Sequence, residues 1–247
     1  YILGMMAAAM SEHNEIGYVA DYPVYGALAN INAFAIGAQM INPRARISLK
    51  WSRLKDQNWQ EELFSEEADI ISGPEIKAPM DKSDLFGLIR RTGRDTYENL
   101  ALPVVDWGRY YELLVASVLE GSFYSRELTE SGQAVNYFYG MSAGVVDVLC
   151  SKRIPYATEK LMKLIKSEII HGDITPFYGE IRTRTGMLKD AGSGPLNYFD
   201  VVNMNWLNEN IDGRIPPISE FSEDAMDFVR AFGVAAEQKE DPGKEGL

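Results

Sequence analysis

The sequence predicts an α/β protein in which a parallel β-sheet is flanked by helices on both faces. Short apolar segments of strand-like composition alternate with longer amphipathic segments along the first 120 residues. Turn residues, above all Asn42-Pro43 and Gly73-Pro74, separate the two kinds of segment. Strands that alternate with helices of this length pair in parallel, because each helix carries the chain back to the starting edge of the sheet.

Five strands and two helices are expected between residues 15 and 105. The strand segments are apolar or alternate in polarity, and the first helix repeats its apolar side chains at helical spacing. Pro23 favours the start of that helix, because proline is well tolerated in the first helical turn. The predicted strands are 15–20, 47–51, 69–72, 85–89 and 100–105, and the predicted helices are 24–40 and 59–68.

The remainder of the chain continues with strands and helices. A strongly amphipathic helix is predicted over 107–119, with Asp106 as its N-cap. A second clear helix is predicted over 157–170, because its apolar residues fall on one face. Further predicted elements are strands over 135–139 and 177–183, a glycine-rich loop over 186–195, helices over 200–208 and 223–232, and a frayed tail over 238–247.

The composition excludes several classes of partner and cofactor. The formal net charge is −12, so phosphate backbones would repel the chain and we expect no nucleic acid partner. No apolar run reaches the ~18 residues that a membrane span needs, and we expect no direct membrane insertion of this segment. Because no HExxH, Walker A or GxGxxG motif and no Cys/His metal spacing occurs, we expect no cofactor, no metal and no catalytic residue.

The candidate ligand-binding residues follow the predicted strands. In open parallel sheets, ligands bind beyond the carboxyl ends of the strands, in the loops that open the next helix. The loops selected by this rule carry aromatic rings and carboxylates, which suit a ligand with a ring and vicinal hydroxyls, such as a nucleoside or a sugar. The candidates are Asp21, Tyr22, Gly73, Glu75, Arg90, Arg91, Asp106 and Trp107.

Several of these candidates also have a purely structural interpretation. Asp21 and Asp106 each precede a predicted helix, where aspartate is a favourable N-cap. Trp107 is also the kind of aromatic residue that packs between two lobes. The arginine cluster at positions 90, 91 and 94 is typical of a solvated loop.

Residues 17–52, GYVADYPVYGALANINAFAIGAQMINPRARISLKWS, resemble the segment that opens the second lobe in the basic membrane protein (BMP) family of ABC-transporter substrate-binding proteins. In that family a strand ends in a short loop, a helix carries an Asn/Gly-aromatic-x-x-Gly pattern, and Asn-Pro precedes the next strand. Here the helix pattern spans 32–37, and Asn42-Pro43 follows it. LALPVVDWGRYYELLVASVLEG, NYFYGMSAGVVDVL, PFYGEIRTRTGML and NMNWLNENIDGRIP resemble later stretches of the family, so the similarity extends from residue 1 to about 218.

The resemblance implies a periplasmic-binding-protein type I-like fold with two lobes, of which the first is incomplete in this chain. It implies a purine-nucleoside-receptor-like protein whose lobes enclose the ligand by hinge motion. The domains expected from it are the terminal helix of the truncated first lobe (1–14), the second lobe (15–103), a return toward the first lobe (104–132), the C-terminal part of the two-lobed fold (133–237) and a flexible tail (238–247).

The function implied by the resemblance is non-catalytic binding of a purine nucleoside or related solute for an ABC importer. The permease would be its partner, and the protein would be an extracytoplasmic, membrane-tethered bacterial lipoprotein. Arg90 and Arg91 occupy a loop where nucleoside-binding members carry an aspartate for the ribose hydroxyls, so an anionic or altered ligand is also compatible. The alternatives are a ligand-sensing regulator, for which a cytoplasmic location is possible, and a nucleoside hydrolase acting through Asp21 and Glu75.

Overall fold

A computed structural model describes residues 1–74, 85–121 and 139–233. The chain divides into two compact units. The first unit joins Tyr1–Leu100 to Thr175–Leu247, and the second unit is Ala101–Ile174. Strand β5 (Tyr97–Val105) begins in the first unit and ends in the second. Each unit is therefore built from its own helices and strand segments.

The first unit contains most of the described strands. Its helices are α1 (Ile2–Met10), α2 (Ala27–Ile41), α3 (Trp59–Ser65), α6 (Tyr198–Val202) and α7 (Glu223–Phe232), with a 3₁₀ helix at Ile218–Glu220. Its strands, besides the start of β5, are β1 (Glu15–Ala20), β2 (Arg46–Trp51), β3 (Ile70–Ser72), β4 (Leu88–Arg91), β7 (Ile181–Thr183), β8 (Gly186–Lys189) and β9 (Ile211–Asp212).

The central sheet of this unit has the order β4-β3-β1-β2-β9. Strand β1 pairs in parallel with β2 and with β3, and β2 pairs in parallel with β9. The α/β prediction with a mainly parallel sheet flanked by helices is confirmed. The sheet is nevertheless mixed, since β4 runs antiparallel to β3.

The antiparallel β4 corrects the predicted position of the arginine pair. The strand predicted over 85–89 lies at Leu88–Arg91, so Arg90 and Arg91 are strand residues instead of loop residues. Arg90 pairs with Ile70 at the start of β3, and the backbone N–H of Arg91 donates to the Asp69 carbonyl at 2.9 Å. Reversal of the strand direction therefore puts both arginines beside the amino end of β3.

Helices α1 and α2 pack closely, and their burial accounts for the apolar start of the chain. Met5 and Met6 on α1 and Ile31 on α2 are almost completely buried. A Cβ on Gly4 would lie 1.9 Å from the Phe34 carbonyl oxygen, so only glycine permits the observed approach of the two helices. Tyr18 of β1 meets Phe34 edge-on at a ring-centroid distance of 5.1 Å, which joins this helix pair to the sheet.

Local contacts shorten or shift several elements of the C-terminal part. Helix α6 ends at Val202, where Asn203 is the C-cap and its side-chain amide donates to the Phe199 carbonyl at 2.8 Å. The helix predicted over 200–208 is therefore wrong beyond this point. The glycine-rich segment from 186 forms β8, which pairs with β7 as an antiparallel hairpin. The strand predicted over 177–183 is confined to its last three residues.

A buried amide network ties the return segment before β9 to helix α2. The Asn32 side chain, fully buried, donates to the Trp206 carbonyl and accepts from the backbone N–H of Asn208, each at 2.8 Å. The Asn210 amide donates to the carbonyl of Ala35 at 3.0 Å and of Ala45 at 3.3 Å. These bonds position β9 against β2, because backbone groups buried here would otherwise lack partners.

The second unit contains the end of β5, helix α4 (Trp107–Leu119), a 3₁₀ helix (Met141–Ala143), strand β6 (Val146–Cys150) and helix α5 (Tyr156–His171). Strand β6 pairs antiparallel with Ala101–Val105. Helices α4 and α5 confirm the two predicted amphipathic helices.

Most of the strand predicted over 135–139 lies outside the described residues, as does the tail over 238–247. No helix in the described part of the chain has both the length and the apolar character to cross a membrane.

Replacement of Asn32 tests the amide network. Asn32→Ala removes a donor and an acceptor that satisfy two backbone groups, so we expect the free energy of unfolding to fall by about 2–4 kcal/mol. Urea denaturation measures this change. Asn30→Ala is the matched control, because Asn30 is exposed on the same helix. Beyond the gain from the higher helix propensity of alanine, we expect this substitution to change the free energy of unfolding by less than about 0.5 kcal/mol. Equal effects of the two substitutions would contradict the assigned role.

Candidate functional site

The parallel strands of the first unit bring their carboxyl ends to one edge of the sheet. The pairs Ala20–Trp51 and Tyr18–Ser72 fix the register of β1 with its two neighbours. The loops that begin with Asp21, Ser52 and Gly73 therefore leave the sheet at the same edge. We call these three loop starts the carboxyl edge. It is the position at which open α/β sheets bind ligands.

Asp21 lies at the centre of the carboxyl edge. Its side chain is only 3% exposed, and its carboxylate accepts a hydrogen bond from the Ser52 hydroxyl. The backbone N–H of Ser52 donates to the Ala20 carbonyl at 2.8 Å, which extends the β1–β2 pairing to the loops. Gly26 occupies the N-cap of α2, with no side-chain capping bond, so the alternative interpretation of Asp21 as the helix cap is wrong.

Tyr22 belongs to an aromatic cluster that covers part of this edge. Its ring lies 4.8 Å from the Phe228 ring of α7, measured between centroids. The guanidinium carbon of Arg53 lies 5.9 Å from the centroid of the same ring. Tyr22 also packs against a buried group formed by Phe221, Ala225 and Val229. A ring held by these neighbours has a fixed position, which is what stacking against a flat ligand requires.

Gly73 is required by the fold of its own loop. Its backbone N–H donates to the Gly87 carbonyl at 2.8 Å, and a Cβ at this position would lie 1.5 Å from the Leu85 carbonyl oxygen. The glycine therefore allows the chain after β3 to meet the chain before β4. Glu75 lies outside the described residues.

Arg90 and Arg91 lie at the opposite end of the sheet from the carboxyl edge. The Arg91 side chain donates to the Leu63 carbonyl at 3.2 Å, and its guanidinium carbon lies 4.8 Å from the Phe64 ring centroid. A cavity of about 270 Å³ lies near this region, beside α3 and the turn after β4. Its lining residues are Asn58, Gln60, Glu61, Phe64, Ser65, Arg94 and Asp95, none of which belongs to the carboxyl edge.

Asp106 and Trp107 lie in the second unit at the start of α4. The Asp106 carboxylate accepts from the backbone N–H of Arg109 at 2.9 Å, which confirms Asp106 as the helix cap. Trp107 is 60% exposed. Its ring contacts those of Tyr110 and Tyr111 at centroid distances of 5.8 and 6.4 Å. The unit thus carries an exposed aromatic group at the helix start.

Sequence reasoning missed Ser52, Arg53 and Phe228. The rule that selects the ends of parallel strands also applies to the strand over 47–51, and it would have identified the first two residues. Phe228 gave no comparable signal, because it reaches Tyr22 from a helix about 200 residues later in the chain. Within the described ranges, no group of three or more His, Cys, Asp or Glu side chains is arranged to hold a metal ion.

Comparison with known proteins relates the carboxyl edge to a protein family. Residues 1–78, which contain β1, β2, β3 and the three loop starts, match the Bmp family model, described as ABC transporter substrate-binding protein PnrA-like. The resemblance to the BMP family is confirmed. The matched segment contains Asp21, Ser52 and Gly73.

Two curated relatives extend the comparison. The chain is 26% identical over 228 residues to a purine-binding protein of Brucella abortus (strain 2308), a match that covers 87% of this chain and 63% of that protein. It is 27% identical over 233 residues to a putative ABC transporter glucose-binding protein of Haloferax volcanii, covering 87% of this chain and 54% of that protein. This chain therefore spans somewhat more than half the length of either relative.

A solved structure also aligns with the chain. It is described as a transcriptional activator of the comK gene from Bacillus halodurans. The alignment has a TM-score of 0.49 and 20% sequence identity, and covers 71% of this chain and 63% of that one.

Replacement of Gly73 tests its structural role. Gly73→Ala places a methyl group against the Leu85 backbone, which cannot give way as a side chain can, so we expect a loss of about 1–3 kcal/mol in stability. Thermal or urea unfolding measures it. In Gly194→Ala the new methyl group meets nothing within 4 Å, and we expect stability to be unchanged or slightly raised. A neutral Gly73→Ala would show that the loop does not depend on this close approach.

Proposed function

We propose that the chain is the ligand-binding part of a non-catalytic solute receptor that serves an ABC importer. The observation that carries the proposal is the shared carboxyl edge of β1, β2 and β3 within the segment that matches the Bmp family. This edge carries a buried carboxylate, a hydroxyl and an ordered aromatic ring. Such a mixture of fixed polar and apolar groups suits enclosure of a small polar ligand.

The ligand proposed is a purine nucleoside or a related purine. Tyr22 offers a flat ring for stacking, and Asp21 offers carboxylate oxygens that accept from ligand N–H or O–H groups. The name of the purine-binding relative from Brucella abortus supports this ligand class, and the name of the Haloferax volcanii relative makes glucose the competing ligand. Asp106 and Trp107 stay predictions from the sequence. Arg90 and Arg91 are not included, because they lie at the opposite end of the sheet.

The hydrolase alternative has less support from the described residues. It needs a pair of carboxyl groups to act as acid and base. Asp21 is buried and accepts from the Ser52 hydroxyl, while its proposed partner Glu75 lies outside the described residues. The curated relatives are named as binding proteins, which agrees with a receptor.

Calorimetric titration of the intact protein tests the proposal. Inosine, adenosine, hypoxanthine, adenine and glucose are titrated separately, and we expect saturable one-to-one binding of at least one purine and a weaker response to glucose. Chromatography of the mixture after incubation detects any cleavage of the nucleosides. Failure of every purine to bind at millimolar concentration, or turnover of a bound nucleoside, would contradict the proposal.

Substitution of Asp21 tests the proposed site within the same assay. Asp21→Asn replaces an acceptor oxygen by an amide donor, so we expect the dissociation constant for the bound purine to rise about ten- to a hundredfold. Asp56→Asn is the matched control, because Asp56 is exposed and asparagine tolerates its positive φ of 55°. A thermal melt verifies that both variants are folded. Equal affinities for the two variants would exclude Asp21 from the site.

A further inference from the structure

Arg53 is a cation at the carboxyl edge with a buried N–H donor, at Nε, that no described residue accepts. It follows Ser52 at the end of β2, and its side chain is half-buried over the Tyr22 ring. Its Nε is enclosed by protein and has no hydrogen-bond partner in the described part of the chain. No ion pair within 4 Å involves Arg53 among these residues. A buried donor in this state is energetically unfavourable.

Other arginines of the same unit have clear partners. Arg214 forms a two-pronged ion pair with Glu220, which raises the pKa of the arginine. Arg91 donates to a helix carbonyl. The chain has 36 acidic residues against 24 basic ones, so a carboxylate partner for Arg53 would be readily available by composition. Among the described residues, the Nε donor of Arg53 has no such partner, and a ligand at the carboxyl edge is one group that could interact with this side chain.

The nearest acidic influence on this arginine is Asp224 in the first turn of α7. The pKa of the Asp224 carboxyl is lowered, chiefly by a hydrogen bond from the Ser222 hydroxyl, and the charge of Arg53 acts in the same direction. The two side chains do not form an ion pair. The backbone holds Arg53 in place instead, because its carbonyl accepts from the Ser222 N–H at 3.0 Å. The arginine is thus positioned without being neutralised.

We propose that Arg53 determines ligand specificity at the carboxyl edge, and that it selects purines with a carbonyl group at the six-position over purines with an amino group there. This inference rests on the proposed function. A guanidinium group is a planar fork of N–H donors, which matches the adjacent carbonyl oxygen and ring nitrogen of a 6-oxopurine. A 6-aminopurine keeps the ring nitrogen as an acceptor but places an amino donor beside it, so one N–H of the fork meets a donor and loses its hydrogen bond.

The neighbouring groups fit such a ligand. Tyr22 lies under the guanidinium and offers a stacking face for the purine ring, and the Asp21 carboxylate accepts from ring N–H groups that a 6-oxopurine carries. Glucose has no planar edge with two adjacent acceptors. A sugar would therefore leave the fork of Arg53 only partly used.

The test compares the ratio of dissociation constants for adenosine and inosine in the intact protein and three variants. In the wild-type protein we expect inosine to bind about tenfold or more tightly than adenosine. Arg53→Gln removes the fork and supplies both a donor and an acceptor, so the ratio should fall to near one. Arg53→Lys keeps the charge without the fork and should also lose most of the preference. Arg94→Gln is the control, since Arg94 is exposed in the turn after β4, and should retain the wild-type ratio.

The outcomes separate this inference from the proposed function. The inference alone is overturned if the protein binds inosine but the ratio of the dissociation constants for adenosine and inosine is unchanged in Arg53→Gln and Arg53→Lys. It is also overturned if the wild-type protein prefers adenosine. Failure of the wild-type protein to bind any purine overturns both. Titration with 7-deazainosine adds a second readout, because loss of the ring nitrogen should weaken binding to the wild-type protein more than to Arg53→Gln.

Discussion

The parallel pairing of β1 with β2 and β3 is the constraint on which the candidate site depends. Six consecutive residue pairs join β1 to β2, from Glu15–Arg46 to Ala20–Trp51. Strands paired in this way end at the same edge of the sheet. Backbone pairing alone therefore brings the polar residues that follow them close together, and no direct contact between their side chains is needed. A shift of one residue in either strand would exchange the side chains on its two faces, which are both largely buried, and would separate Asp21 from Ser52.

The second constraint comes from the last part of the chain. The backbone N–H of Tyr25 donates to the Phe232 carbonyl, and that of Lys55 donates to the Glu220 carbonyl. These bonds hold the segment from 218 to 233 against the loops after β1 and β2. The environment of Tyr22 and Arg53 therefore depends on residues that are distant in sequence, and the amide network around Asn32 fixes the return path that leads to them.

The periodicity of the sequence was sufficient to predict the α/β class, the boundaries of β1 and the presence of α2, α4 and α5. Local patterns could not reveal the direction of β4, because strand direction is decided by pairing with β3 and leaves no mark on composition. This error misplaced Arg90 and Arg91. Asp21 and Tyr22 were selected because a simple rule connects strand ends to ligand sites, whereas the Arg53 Nε, which no described residue accepts, is visible only in three dimensions.

Hydrogen–deuterium exchange of the intact protein, with and without inosine, tests the central claim that the carboxyl edge of the first unit binds the ligand. The account predicts slower exchange of the backbone amides in residues 21–26 and 52–55 on addition of inosine, with no change in residues 90–96 at the opposite end of the sheet. Protection that is confined to residues 58–65 and 94–95, which line the cavity beside α3, would contradict it.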